Sequence, residues 1–146
     1  MEKGQKITKL RLDVSGQDEF TFLGLVSAEP DYKLSLAINR KLKLSLRHAD
    51  PAIIPNDSPD ELSFSRYADS SKSPEIAFSL FSNRSAGNVL IKKLKNVDFI
   101  LTIHDPESSV IISEIIAGLR EIKIITAVFN LDMSTIKDKN LQLLTD

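Results

Sequence analysis

"VDFILTIHDPESSVIISEIIAGLREIKIITAVFNL", residues 97–131, contains the change of period that decides the fold. At its start Val97, Phe99, Leu101 and Ile103 fall on one side of an extended chain, with Asp98, Ile100 and Thr102 on the other. Both sides lean apolar, as in a strand inside a sheet. In "HDPES", Asp105 suits a cap, Pro106 the first helical position and Glu107 the positive helix end. A helix is expected to follow to about Glu121, burying Ile112, Ile115, Ile116, Leu119 and Ile122 at three-and-four spacing. Gly118 inside it costs about 1 kcal/mol relative to alanine, a cost that close packing would offset. "KIITAVFNLD" then reads as a strand. If the two strands are parallel, their crossover should be right-handed.

Toward the N-terminus, "KITKLRLDV" sets Leu10, Leu12 and Val14 against Lys9, Arg11 and Asp13, the alternation of a half-buried strand. "SGQDE" supplies a turn into "FTFLGLVS", where Phe20, Phe22 and Val26 share a face and Gly24 permits a close approach or a bulge. Pro30 suits a first helical turn, and Leu34, Ile38 and Leu42, widened by Ala37, predict a helix from about Asp31 to Lys41. A short strand, "LSLRHA", follows.

Residues 51–62 read as a proline-rich acidic loop. "LSFSRYAD" and "EIAFSLFSN", joined by "SSKSP", look like a hairpin rich in aromatics: Phe64, Tyr67, Phe78 and Phe81. "RSAGN" turns the chain again, and residues 133–146 form a short helix or docked tail capped by Ser134. The expectation is a single α+β domain over residues 1–146. Its sheet is mixed or mainly antiparallel, two main helices pack on one face, and a C-terminal strand–helix–strand leads into a short terminal helix.

Nineteen basic against twenty acidic residues leave a net charge of -1, which argues against a dedicated duplex-DNA binder. Without cysteine there can be no disulfide, thiolate metal site or cysteine nucleophile. "MEKGQKITKL" lacks the apolar core of a signal peptide, and no apolar run is long enough to span a membrane, so a cytoplasmic protein is expected.

Four stretches carry a family resemblance: "DYKLSLAINRKL", "LFSNRS", "LIKKLKNVDFIL" and "ITAVFNLDMSTIKDKNLQLL". Over most of its length the chain resembles a divergent member of the bacterial IPExxxVDY family, to which no activity is assigned. Ile91, Val97 and Asp98 match the eponymous motif. Lys92 stands where the family has proline, Lys93 where it has glutamate and Phe99 where it has tyrosine. Any role of that carboxylate or phenol therefore does not carry over. The resemblance implies a small bacterial cytoplasmic protein of one domain.

Two basic clusters are candidates for an anion or partner surface. Lys92, Lys93 and Lys95, with Arg84 upstream, could pair with phosphates or an acidic partner. The plainer reading, a solvated strand entry whose lysines discourage edge pairing, is preferred. Arg40, Lys41, Lys43 and Arg47, with His48, gather near the end of the first helix, where cations meet the negative end of its dipole. A phosphate or RNA surface gains weight if the clusters adjoin.

His48 and His104 lack the spacing of a metal site. A His104/Asp105 acid–base pair has no nucleophile or oxyanion site beside it, so a capping or hydrogen-bonding role for His104 is preferred. Asp50, Asp57, Asp60 and Glu61 lack the order of a calcium loop. Asn83, Arg84 and Ser85 are read as finishing a hairpin, and no phosphate-binding glycine loop or nucleophile elbow appears.

No catalytic residues or cofactor are assigned. The leading expectation is a non-enzymatic binding or interaction module with an unidentified protein partner or a second copy of itself. A weak RNA- or phosphate-associated protein, with Tyr32 or Tyr67 for stacking, is the alternative. A small-ligand domain of ACT-like or ferredoxin-like type is a third, which a deep pocket lined by Asp98, His104 or Arg84 would favour.

Overall fold

The computed structural model describes residues 19–55, 62–71 and 76–145. The expected strand at residues 6–14 and the turn after it lie outside these, as do Asp57, Asp60, Glu61 and most of the "SSKSP" turn. Among the described residues six strands form one sheet: β1 (Phe20–Val26), β2 (Arg47–Ile54), β3 (Leu62–Asp69), β4 (Ala77–Ser82), β7 (Phe99–His104) and β8 (Ala127–Leu131). Between β4 and β7 lies a two-stranded ribbon, β5 (Arg84–Ser85) with β6 (Asn88–Val89). The helices are α1 (Asp31–Leu42) and α2 (Ile112–Arg120).

The sheet order is β2-β3-β4-β7-β1-β8, and every pairing is antiparallel. β7 and β8 both run opposite to β1, so they are parallel to each other but separated by it. The strand–helix–strand read from residues 97–131 therefore straddles β1. With α1 and β4 it gives the split β-α-β arrangement of ferredoxin-like folds. A β2–β3 hairpin is inserted between α1 and β4.

Both helices cover one face. Leu34 and Ile38 of α1 and Leu119 of α2 pack on Leu23, Leu25, Phe78, Leu80, Leu101 and Ile103. The helices approach closely at Gly118, where a Cβ would lie 2.9 Å from Leu42 Cδ2. At the end of α1, Lys43 turns into the left-handed region (φ 58°), and its N–H closes on Asn39 O. The Asn39 side chain then donates to Leu46 O (3.1 Å) and accepts from Leu46 N (2.8 Å), binding the helix end to the chain entering β2. Lys41 pairs with Glu121 across the helices and holds that carboxyl below its ordinary value.

The opposite face is apolar too. Phe22, Phe64, Phe81 and Ile100 from the sheet are buried beneath Leu90, Ile91 and Val97 of the β4–β7 connection and Met133 and Leu144 of the C-terminal tail. Gly24 lies under this cover: a Cβ there would meet the Val97 methyls at 3.0 and 3.2 Å and Leu131 Cδ1 at 3.3 Å. Its role is a close approach, since β1 keeps a continuous register with both neighbours.

Four details differ from the sequence reading. Val97 does not share a face with Phe99, Leu101 and Ile103: it precedes β7 and packs in the opposite, tail-covered core. β2 runs on through Pro51 to Ile54, so the expected loop at 51–62 begins as a strand. Pro51 fits because β2 is an edge strand and its register shifts between Ala49 and Ala52, a bulge that needs no ladder N–H from proline. Asp105 does not begin a helix: its carboxylate accepts from Ser109 N (3.0 Å) and Val110 N (2.7 Å), closing a turn, and α2 starts at Ile112. The tail is docked as two 3-10 turns, Met133–Thr135 and Lys139–Leu144. Asp132, not Ser134, caps the first, and two hydrogen bonds from Ser134 lower its pKa.

Candidate functional site

The chain between Asn83 and Asp98 is shaped by one buried amide. Asn83 is 0% exposed. Its side chain donates to Leu94 O and Val97 O, both at 2.9 Å, and accepts from Ile91 N at 3.0 Å. Its backbone adds Asn83 N to Asp98 O (2.9 Å) and Leu90 N to Asn83 O (2.8 Å). The β5–β6 ribbon turns at Ala86 (φ 48°) and Gly87 (φ 84°), the paired positive φ values of a tight hairpin.

In this passage Ile91 and Val97 are core residues and Phe99 is buried on the helix face. Asp98 accepts from Ser27 N (3.0 Å) and pairs with Arg84 Nε (2.7 Å). Arg84 also donates to Lys95 O. Of Ile91, Lys92, Lys93, Val97, Asp98 and Phe99, only Lys92 and Lys93 are exposed.

The tail joins this passage. Asp138 accepts from Lys92 N (3.1 Å) and Asn140 N (2.9 Å), and Asn140 Nδ2 donates to Leu90 O (3.0 Å). Lys137 and Lys139 are thereby set beside Lys92, Lys93 and Lys95. All five lysines line one groove of about 840 Å³, where Asp138 is the sole carboxylate among the described residues. Buried Leu90 and Ile91 anchor the loop, so its lysines project outward.

A second groove, of about 870 Å³, lies on the other flank of the tail. Its floor is Arg66 of β3, Ser79 of β4 and Thr102 and His104 of β7; Lys137 and Lys139 line its tail side. His104 Nε2 is 3.0 Å from Glu19 Oε1, and its ring is 4.6 Å from that of Phe20. With Asp105 engaged by Ser109 and Val110, the two do not form an acid–base pair.

The second basic cluster stays apart. Lys92–Lys95 lies by the end of β1, where Asp98 N donates to Leu25 O. Lys41 lines a hollow with Leu42, Leu44, Ile76 and Phe78, by the start of β4. β1 and β4 run the same way, so the clusters occupy opposite ends of the sheet. Arg40, Lys41, Lys43 and Arg47 line neither groove beside the tail. Tyr32 and Tyr67 line neither as well; Tyr67 meets His48 edge-on, and burial, with Asp31 adding to it, raises its pKa.

Lys137, Lys139 and Arg66 escaped the sequence reading. "IKDKN" alternates its charges, but the signal looks like a solvated terminal turn until Asp138 is seen reaching back 46 residues. Among the described residues, no three His, Asp or Glu side chains gather as a metal site, and no helix is long and apolar enough to cross a membrane. No protein-family model, curated protein or solved structure matches the chain.

Proposed function

We propose that this chain, a divergent relative of the IPExxxVDY family, is a non-enzymatic cytoplasmic binding domain that takes a phosphate-bearing anion in the lysine groove. The observation that carries this reading is the convergence of five lysines on one hollow whose single carboxylate among the described residues already accepts two backbone N–H groups. Each ammonium at about 4 Å from a phosphate is worth roughly 1–4 kcal/mol near a protein surface. Several acting together overcome the cost of ordering their side chains, and the binding must be sensitive to salt.

Neither tyrosine lines this groove, so recognition runs through phosphates and not through stacked bases. Among the described residues the exposed large apolar side chains, Tyr32, Leu36, Ile53, Ile111 and Phe129, are spread over α1, the two edge strands and the lead-in to α2. That distribution favours charge over apolar docking as the basis of recognition.

The test is fluorescence anisotropy with a labelled hexauridylate, inorganic triphosphate serving as competitor. Three phosphate contacts predict a log–log salt slope of about −2. K92E/K93E/K95E and K137E/K139E should each abolish binding, while R40E/K43E should not. Undiminished binding in the first variant removes this groove from consideration.

A further inference from the structure

We propose that the second groove is a separate site for a small carboxylate with an apolar body, received by Arg66. Among the described cations with a charged or carbonyl partner at hand, Arg66 is poorly served. Lys33 pairs with Glu29, Lys41 with Glu121 and Arg84 with Asp98. Arg66 forms no ion pair among the described residues. Its Nη1 reaches only Asp50 O at 3.5 Å, the outer limit of a hydrogen bond, and its covered Nε has no acceptor. The guanidinium instead lies over Phe81, its register partner on β4, 5.8 Å from the ring centroid. Stacking holds the fork in place and leaves its donors underused.

The surroundings specify the ligand. Ser79 and Thr102 are register partners on the floor, and Thr102 Oγ1 makes only a 3.5 Å contact to Ser79 O, so a hydroxyl lines the same groove as the guanidinium. Phe20, Ile136, Leu141 and Leu144 supply apolar wall. At about 870 Å³ the groove has the size of a small-molecule site. A guanidinium fork matches two coplanar oxygens, which a carboxylate presents. Lys137 and Lys139 on the tail side are offset by Glu19 and Asp138, which line the same groove and are already engaged. The Arg66 fork against the apolar wall therefore suits a monocarboxylate with a ring or short chain, whereas a polyphosphate is better matched by five lysines. His104 is already engaged by Glu19 and bounds the site without receiving the ligand.

The experiment is a proton–nitrogen NMR titration of the full chain with benzoate, benzamide and inorganic phosphate as separate probes. Benzoate should give saturable shifts centred on Ser79, Thr102 and Leu141, and benzamide should bind at least tenfold more weakly. R66Q should abolish the benzoate response while K92E/K93E/K95E keeps it, separating this site from the lysine groove. If R66Q fails to fold, R66K retains the charge without the fork and should bind benzoate about tenfold more weakly. The proposal is overturned if benzoate gives no saturable response, if benzamide binds equally well, or if R66Q or, failing it, R66K binds as wild type does. Saturation of the same amides by phosphate, with none by benzoate, overturns the carboxylate assignment.

Discussion

Replacing Asn83 by alanine should be among the most damaging single changes in the molecule, and the structure sets its size. The substitution removes three side-chain hydrogen bonds at a position that is 0% exposed. Leu94 O keeps a donor, since Val97 N also reaches it at 3.0 Å. Ile91 N, belonging to a residue that is itself 0% exposed, loses its Asn83 Oδ1 acceptor, and an orphaned buried N–H costs about 1–3 kcal/mol. Loss of the Val97 O partner adds about 1 kcal/mol, giving roughly 3 kcal/mol in all. For a chain of this length that corresponds to a fall in Tm of roughly 6–12 °C.

Urea unfolding followed by circular dichroism would measure it, with an unchanged m-value confirming that only stability moved. A loss below about 1 kcal/mol would refute the reasoning, since the amide would then not be what holds this passage. Asn83→Asp sharpens the test, because it sets a carboxylate where the amide nitrogen met two carbonyl oxygens at 2.9 Å. That carboxyl would titrate above its unfolded value. The charge penalty should be absent below the unfolded pKa and grow as pH rises through the folded one, while the single O–H of the protonated carboxyl serves only one of the two carbonyls.

Gly24→Ala should cost about 1–3 kcal/mol, because its methyl enters a space bounded by Val97 and Leu131; pairing it with Val97→Ala should recover part of the loss in a double-mutant cycle. Gly118→Ala makes one tight contact, with the free end of Leu42, and an ordinary one with Lys41 Cγ at 3.8 Å, so a helix-propensity gain of about 1 kcal/mol should offset the contact and leave chemical unfolding within about 1 kcal/mol of wild type. Lys41 lowers the pKa of Glu121, so their tie supports the fold above the unfolded carboxyl value and is lost as pH falls through the folded one. The difference in Tm between wild type and Glu121→Gln should accordingly vanish in acid, and shrink in high salt because the pair is exposed. Asp105→Ala removes the acceptor of Ser109 N and Val110 N; hydrogen exchange should quicken at those two amides while the β7 amides stay protected.

Much of the candidate site was out of reach of local pattern. Asp105 followed by Pro106 carries the chemistry of a helix start, yet the same carboxylate satisfies N–H groups four and five residues on in a turn, and tertiary packing selects the turn. Pro51 looks like a loop residue because a proline cannot serve a central strand, but on an edge with a bulge the restriction disappears. Arg66 reads as the polar position of an alternating strand, and nothing local says that the face it joins is half roofed by a tail from the far end of the chain.

What the sequence determined by itself is the α+β architecture: periods of two and of three-to-four assign strands and helices, because burial on one face or two is written into neighbouring residues. It also determined that β7 would be interior and that both helices would present apolar stripes to one side of a sheet. Only the tertiary structure decided that β7 and β8 would enclose β1, that Lys137 and Lys139 would meet Lys92–Lys95, and that the basic end of α1 would stay apart from them. Those outcomes rest on contacts between residues tens of positions apart, such as Asp138 with Lys92 N and Asn140 with Leu90 O. Such contacts accompany the hydrophobic burial of Met133 and Leu144 that docks the tail, and no periodicity records where a docked segment lands.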